Sequence, residues 1–441
     1  MDNANFIPDP DNLAFKRIFE SIESTRENFL ITGKAGTGKS TLLRYFCQNT
    51  AKNVVILAPT GIAAINVGGQ TIHSFFGFPF RPLVKQDEEI KKYQAYHPKF
   101  KIIKNMDTLV IDEISMVRAD ILDAIDHSLR INGGKPYLPF GGKQVIMVGD
   151  LFQLEPVVTN SKVEHEMFNE YYSSPYFFSS QIIQEAPLHC LELKKIYRQS
   201  DPTFIRLLNQ VRLNQADWDT LDLLNERYNP HHSFDIDSFG ITLCSRNQTA
   251  SAINDLKMDQ IESPRHIYKG EIDKDFNIRN LPTELILVLK EGAQVMFIKN
   301  DIKGNYVNGT IGKIASLAEN KIEILLPDGK IVEVQKEIWE NKYYSWDRES
   351  GKIKSEILGT FTQYPLRPAW AITIHKSQGM TFDEVVLELS GGTFAHGQLY
   401  VALSRCKSLE GLTLTAKIKP SDIIVDSRVV EFAESNFIEV E

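Results

Sequence analysis

Cysteine is scarce in this 441-residue chain. Cys47, Cys190, Cys244 and Cys406 are scattered, with no C-x-x-C pair and no Cys/His spacing, which argues against a zinc site or a disulfide framework and for a reducing compartment. They read as small buried apolar residues. Long apolar runs are missing too: none approaches the ~18 residues of a membrane span, and the start MDNANFIPDP is polar and acidic, without leader character. Nor is there an excess of positive charge. The 49 Lys and Arg against 57 Asp and Glu leave a net charge of −8, which excludes coating of nucleic acid by bulk attraction but not a local basic groove. Lysines gather at Lys99, Lys101 and Lys104 and again at Lys299 and Lys303, and on charge alone a solvated face accounts for both groups. What remains is an ordinary globular composition, 42% hydrophobic and 24% charged, in a chain long enough for two or more domains.

Against these absences stands one strong pattern. Gly33 to Thr41 read GKAGTGKST directly after the apolar run Phe29, Leu30, Ile31, the order strand, glycine loop, helix start. Gly33, Gly38, Lys39 and Ser40 meet G-x-x-x-x-G-K-[ST], a phosphate-binding P-loop. Glycines at Gly33, Gly36 and Gly38 let the backbone N–H groups of Ala35, Thr37, Lys39, Ser40 and Thr41 turn around phosphate oxygens without a Cβ in the way. Lys39 would reach the β and γ phosphates of ATP, and the Ser40 hydroxyl would face Mg²⁺.

Such a loop needs a carboxylate for the magnesium shell and a group to orient water, both at the end of a neighbouring buried strand. Thr108-Leu109-Val110-Ile111 runs into Asp112-Glu113, so Asp112 is the expected magnesium partner and Glu113 the group that positions the attacking water. Taken alone, this acidic pair reads equally well as helix capping. A third strand, Val145 to Val148, enters Gly149-Asp150-Leu151-Phe152-Gln153, where Gln153 is placed to sense the γ-phosphate. Alone, that segment reads as a turn built on Gly149 and an Asx-type Asp150. Between the two strands, Ile121, Leu122, Ile125 and Leu129 share one helical face and are expected in the core.

The ordered set GKAGTGKST, LVIDEISM, VGDLFQL, IYRQSD, TIHKSQGMTFD and YVALSRC, from Gly33 to Cys406, resembles the superfamily-one DNA helicases, and within them the PIF-type enzymes of the RecD-like branch. The resemblance implies an α/β fold of two RecA-like P-loop NTPase lobes with ATP and Mg²⁺ between them and a single DNA strand crossing both. Residues 1–65 and 83–185 are the expected first lobe, with 66–82 a small wedge insertion. Residues 186–311 and 365–441 are the expected second lobe, with 312–364 an SH3-like β-barrel insertion. Ile241 to Cys244, Gln294 to Ile298 and Val385 to Leu389 read as strands of the second lobe, and Pro327-Asp328-Gly329-Lys330 as a hairpin turn.

The resemblance also assigns residues. Arg198 and Arg405 match the two arginines that reach the γ-phosphate, and Gln378 and Gly379 lie near the nucleotide. Thr60, Gly61, Asn66, Thr71, His73 and Ser74 match the strand-contacting segment of the first lobe, and Thr373, His375, Lys376 and Ser377 that of the second. Phe75 and Phe76 stay open between core residues and base platforms, although aromatic burial alone favours core. Two departures are visible. Related helicases read adenine through a Gln upstream of the P-loop, but none precedes Gln48, so Asn12 is the candidate. Glu155 stands where the third motif commonly has Pro. The implied activity is that of a monomeric ATP-dependent 5′-to-3′ helicase of a minimal bacterial type, acting in the cytoplasm at the nucleoid on single strands, junctions, G-quadruplexes or RNA–DNA hybrids, with repair or telomere-type roles in the family. The rival expectations are a P-loop switch or nucleotide kinase that binds no nucleic acid, and a translocase that strips proteins without unwinding.

Overall fold

In the computed structural model the described residues are 12–437, apart from 85–86, 159–165, 167, 169, 233, 235–237, 277, 279–280, 302–303, 348 and 351. The polar start up to residue 11 and Lys303 therefore lie outside them.

Six parallel strands form the first sheet: β1 (Asn28–Gly33), β2 (Val54–Ala58), β3 (Gln70–Thr71), β4 (Thr108–Ile111), β5 (Gln144–Val148) and β6 (Leu188–Leu193). Their order across it is β3-β2-β4-β5-β1-β6. Their near-continuous apolar sequences follow from burial on both faces. Leu30, Leu57, Ile111 and Met147 point to one side and Ile31, Ile56, Val110 and Val148 to the other, as the two-residue period of a strand dictates. Helices α1 (Leu13–Ser24) and α2 (Lys39–Asn49) cover the second side through Phe15, Ile18, Leu42 and Phe46. Short helices α3 (Gly61–Val67) and α4 (Ile72–Phe76) follow β2 and β3. The first side is covered by α5 (Pro98–Asn105) and α6 (Ala119–Gly133), which buries Ile121, Leu122, Ile125 and Leu129.

The expected boundary between lobes, at 185/186, falls before β6, and the structure moves it. Leu188 to Leu193 pair in parallel with β1, so the first sheet keeps this strand and the chain crosses over after it. A second parallel sheet consists of β7 (Ile241–Cys244), β18 (Ala371–Thr373), β19 (Val385–Glu388) and β20 (Leu412–Leu414), in the order β18-β7-β19-β20. The strand β11 (Gln294–Phe297) is not in that sheet, contrary to expectation. It pairs antiparallel with β12 (Ile311–Ala318) on one side and β17 (Leu366–Pro368) on the other. A fully buried four-residue strand looks the same in either setting, and only its partners differ.

The 312–364 segment is largely strand, but its pairing extends beyond those bounds. Strands β13 (Lys321–Leu325) and β14 (Ile331–Val334) form the hairpin around Gly329 and complete a sheet of order β14-β13-β12-β11-β17. The long hairpin β15 (Glu337–Asp347) and β16 (Lys352–Gln363) takes β9 (Glu271–Lys274) as a third strand. Strands β8 (His266–Lys269) and β10 (Ile286–Leu289) pair beside them. This β region has its own apolar centre around Leu287, Val295, Phe297, Ile322, Ile324 and Leu366. Its long hairpin reaches back to the first lobe and packs along α5. There the Tyr344 hydroxyl accepts from Ile56 N (3.2 Å) and donates to Ile56 O (3.4 Å), on the β2 edge that two-residue β3 leaves uncovered. The Gln70 side-chain amide donates to the Lys342 carbonyl nearby.

Candidate nucleotide cleft and strand channel

Parallel topology brings the site together. The P-loop leaves the carboxyl end of β1, Asp112-Glu113 that of β4 and Gly149-Asp150 that of β5, and these three strands are neighbours. The cleft beyond such strand ends is where doubly wound sheets hold ligands. Here it is a cavity of about 620 Å³ lined by Ala35 to Thr41, Glu113 and Gln153 from one side and Arg198, Gly379 and Arg405 from the other. Within the loop, Thr37 is buried, and its hydroxyl (2.9 Å) and backbone N–H (3.3 Å) both donate to Lys34 O, which holds the turn in shape. Gly36 adopts φ +80°, and a Cβ there would lie 2.4 Å from the Cβ of Arg198. Its bareness lets the 195–199 segment close over the loop, where Tyr197 N donates to Gly36 O (2.9 Å).

Three cations converge here, Arg405 buried and Lys39 and Arg198 half-buried, without a carboxylate within ion-pair distance among the described residues. Lys39 Nζ donates to the carbonyls of Gly33 (2.7 Å) and Lys34 (3.0 Å). Arg198 donates to Ser404 O (3.2 Å). Arg405, 1% exposed, spends its donors on Val401 O (2.9 Å), Met380 O (3.3 Å) and Ser404 Oγ (2.8 Å). Burial lowers the pKa of all three, and burial with the nearby Arg198 charge brings Arg405 down to about 9. Buried charge is costly unless compensated, so this cluster is built to receive an anion.

The acids are pushed the other way. Burial lifts the Asp112 carboxyl to about 6, and burial with the Asp112 charge lifts Glu113 to about 7. Glu113 sits in a left-handed backbone conformation (φ 52°), which costs a non-glycine residue about 1–2 kcal/mol and marks a position held for its side chain. From the opposite lobe, Gln378 Nε2 donates to Glu113 Oε2 (3.0 Å) and to Gln153 Oε1 (3.5 Å), so one amide spans the expected water-positioning and sensing groups. Ser40 and Asp112 line an adjoining cavity of about 660 Å³ that also takes in Glu113, Gln378 and Gly379.

That second cavity extends to the strand-contacting candidates, where Thr60 and Asn66 of the first lobe share its walls with His375 and Lys376 of the second. Asn308 Nδ2 donates to Asn66 Oδ1 (3.4 Å) across the gap. Thr60 caps α3, which begins at Gly61, and Thr71 caps α4, so both hydroxyls also serve their helices. His73 and Ser74 lie on α4 outside this cavity, and His73 stacks on the exposed Phe80 ring at 4.8 Å. Ser377 has to be withdrawn from the channel wall. It is fully buried and its hydroxyl donates to Ile374 O (2.7 Å), closing the turn that presents His375 and Lys376. Thr373 is buried as well, accepting from Lys376 N (3.4 Å). Phe75 and Phe76 are core residues, packed edge to face on each other. Lys299 is ion-paired with Glu337 (2.7 Å), and Lys99 donates to Ser74 O (3.1 Å).

Asn12 is not in the cleft wall. Its amide caps α1 by accepting from Phe15 N (3.1 Å) and donates to the Tyr197 hydroxyl (2.8 Å), whereas Phe15 and Tyr197 themselves line the cavity. Sequence reading missed those two rings, and also Asp150 and Tyr400. Asp150 closes the expected Asx turn by accepting from Phe152 N (3.2 Å) and is also a buried acceptor for Arg212 and Tyr400. Tyr400, in the YVALSRC segment, accepts from the P-loop amide of Ala35 (2.9 Å); its place five residues before Arg405 was the available signal. Glu155 accepts from His396 N (3.4 Å) of the facing lobe, a bond no proline could make.

Two parallel sheets, a P-loop at their junction and cations converging from both define a two-lobed P-loop ATPase of the helicase class. Comparison with known proteins agrees. The PIF1-like helicase family matches residues 9–219, and a UvrD-like helicase C-terminal domain matches residues 368–412. The chain is 33% identical over 414 residues to the ATP-dependent DNA helicase Pif1 of Bdellovibrio bacteriovorus, covering 92% of this chain and 88% of that one. Among solved structures, Bacteroides sp Pif1 in complex with ADP-AlF4 is 40% identical over 96% of each chain, with a TM-score of 0.89. The same protein bound to ssDNA is 39% identical over 96% of each chain, with a TM-score of 0.68. The chain belongs to the PIF1-like helicase family and is an ATP-hydrolysing DNA helicase.

Proposed function

We propose that the chain is a 5′-to-3′ motor on single-stranded DNA that opens duplexes and forks by cycles of lobe closure around ATP. The observation that carries this reading is the set of three cations with no carboxylate at ion-pair distance among the described residues, Lys39 from one lobe and Arg198 and Arg405 reaching in beside it, at the ends of β1, β4 and β5. A polyphosphate supplies the missing negative charge. Lys39 and the amides from Gly38 to Thr41 hold the phosphates, and Arg198 and Arg405 stabilise charge in the transition state, a contribution of ~10³ to 10⁵ in rate for such a finger. Ser40 and Asp112 share one cavity wall and suit Mg²⁺, which takes one or two protein ligands together with phosphate oxygens and water. Glu113 in its ionised form accepts the proton of the attacking water, with Gln153 and Gln378 fixing its orientation. Phe15 and Tyr197 flank the nucleotide base, and Asn12 acts through Tyr197.

Because the arginines and Gln378 belong to the far side of the cleft, hydrolysis and release change the free energy of closure, and the strand gripped by Thr60, Asn66, His375 and Lys376 moves with it. Bacteroides Pif1 bound to ssDNA supports the strand assignment by similarity. The same pulling step would act on G-quadruplexes and RNA–DNA hybrids, by a monomer at the bacterial nucleoid. Unwinding of forks that carry only a 5′ or only a 3′ tail tests the proposal: 5′-tailed forks should open in the presence of ATP, and opening of 3′-tailed forks alone would overturn the polarity. Indifference of the ATPase rate to single-stranded DNA would point to a switch or kinase instead.

A further inference from the structure

Arg212 ends the Pro202–Arg212 helix, beyond the strand crossover, and is 4% exposed. It lines neither cavity wall of the cleft, yet it reaches the first lobe. Its Nη2 donates to Asp150 Oδ1 (3.2 Å), its guanidinium lies 4.0 Å from the centre of the Phe152 ring, and Glu192 of β6 stands at 4.0 Å. The buried Nε has no acceptor among the described residues, so Asp150 is the main partner of this charge, with Glu192 at the limit of ion-pair distance. Asp150 gathers further donors: Phe152 N (3.2 Å), Gln153 Nε2 (3.4 Å) and the Tyr400 hydroxyl (3.2 Å). Two arms leave this hub. One runs from Asp150 through Gln153 to Gln378 and Glu113, and the other through Tyr400 to the P-loop amide of Ala35. Both arms cross from the first lobe to the second and back, through Gln378 in one and Tyr400 in the other. Their backbones also touch here: a Cβ on Gly397, which has φ +69°, would lie 2.3 Å from Phe152 O.

We propose that Arg212 is a positioning residue for ATP turnover: by pairing with Asp150 it fixes Gln153 and Tyr400, and through them Glu113 and the P-loop, in an arrangement that exists only while the lobes are joined. The residue touches no reacting atom. It acts by keeping Asp150 ionised and correctly turned, so that the Gln153 amide and Tyr400 hydroxyl each have one fixed direction. Misplacing such groups by about 1 Å slows a reaction by on the order of 10²-fold without weakening substrate binding to match. The proposal rests on the reading of the cleft as a DNA-stimulated ATPase.

The test uses the full chain, with ATPase rates measured with and without single-stranded DNA and competent sites counted by ADP titration. For Arg212→Met, kcat per ADP-binding site should fall ~10- to 100-fold with KM for ATP nearly unchanged, and the stimulation by DNA should fall with it. Arg212→Lys, which keeps the charge but not the planar stack, should lie between the two. Tyr400→Phe removes only the hydroxyl, and its loss should not multiply with that of Arg212→Met, because both break one network. If Arg212→Met binds no ADP, the same comparison is made between Arg212→Lys and Tyr400→Phe. An unchanged kcat per site in the Arg212 variant that binds ADP, or losses that multiply, would overturn the proposal. A wild-type enzyme indifferent to DNA would instead sink the strand-motor reading, leaving kcat per site to decide the role of Arg212.

Discussion

Lys39, Arg198 and Arg405 sit in low-dielectric surroundings with carbonyl and hydroxyl oxygens as partners, while Asp112 and Glu113, across the same cleft, are lifted by burial. For Glu113 the sign of the pH effect can be worked out. Its folded pKa, about 7, is above the ordinary 4.5, so its contribution to stability is fully present below about 4 and is lost as pH rises through about 7. Turnover needs the ionised form and should climb over the same interval. Glu113→Gln should thus lower kcat by ~10²- to 10⁴-fold, and it should melt higher than wild type near pH 8 while the two converge near pH 5, a pair of conditions set by that raised pKa of about 7. Calorimetry at both pH values checks the sign; a variant that melts lower under the alkaline condition refutes it. Arg405→Ala should keep ADP binding and lose ~10³-fold in hydrolysis, measured by titration alongside steady-state rates. At this scale much was readable in advance, because the P-loop fixes its roles by spacing along the chain. The hub role of Asp150 was not, since beyond its Asx turn it depends on Arg212, 62 positions away.

Elements carry the second tier of information. The parallel strands declared themselves through short β-rich apolar runs ending in functional turns, and β1, β4, β5, β7 and β19 lie where those runs are. Strand β11 shows where such reading stops: Gln294–Phe297 is buried at every position, as a central parallel strand would be, but its neighbours are antiparallel. Strand β6 shows the complementary limit, since Leu188–Leu193 joins the first sheet only because its backbone finds the open edge of β1. The long β15–β16 hairpin supplies a surrogate partner for the β2 edge through one hydroxyl. Tyr344→Phe should leave Ile56 N unpaired in a buried setting, while Ile56 O keeps its ladder partner Gln70, and lower the unfolding free energy by about 1–3 kcal/mol. Urea unfolding with an unchanged m-value would give that figure, and no loss of stability would show that the edge is satisfied in another way.

At the scale of the molecule, a chain of net charge −8 has to hold a polyanion, so its grip must be local. Affinity for single-stranded DNA should fall with salt at a log–log slope of about −0.7 for each phosphate contacted. Fluorescence titration over a range of salt measures the slope, and a flat response would remove the proposed channel between Thr60, Asn66, His375 and Lys376. The contrast in TM-score between the ADP-AlF4 and ssDNA forms of Bacteroides Pif1, 0.89 against 0.68 at nearly equal identity, shows that the arrangement described here resembles the ADP-AlF4 form more than the strand-bound one. Sequence by itself pointed to the phosphate-binding loop, because that motif depends on residue types at short spacing and on the strand that precedes it; the acidic pair took its expected role from that loop and the two arginines theirs from the family resemblance. Only tertiary structure decided which residues join the lobes, among them Gln378 on Glu113, Tyr400 on Ala35, Arg212 on Asp150 and Tyr344 on Ile56. Each of those contacts joins residues far apart in the chain, and its energy comes from the burial of a polar pair that exists once the two sheets face each other.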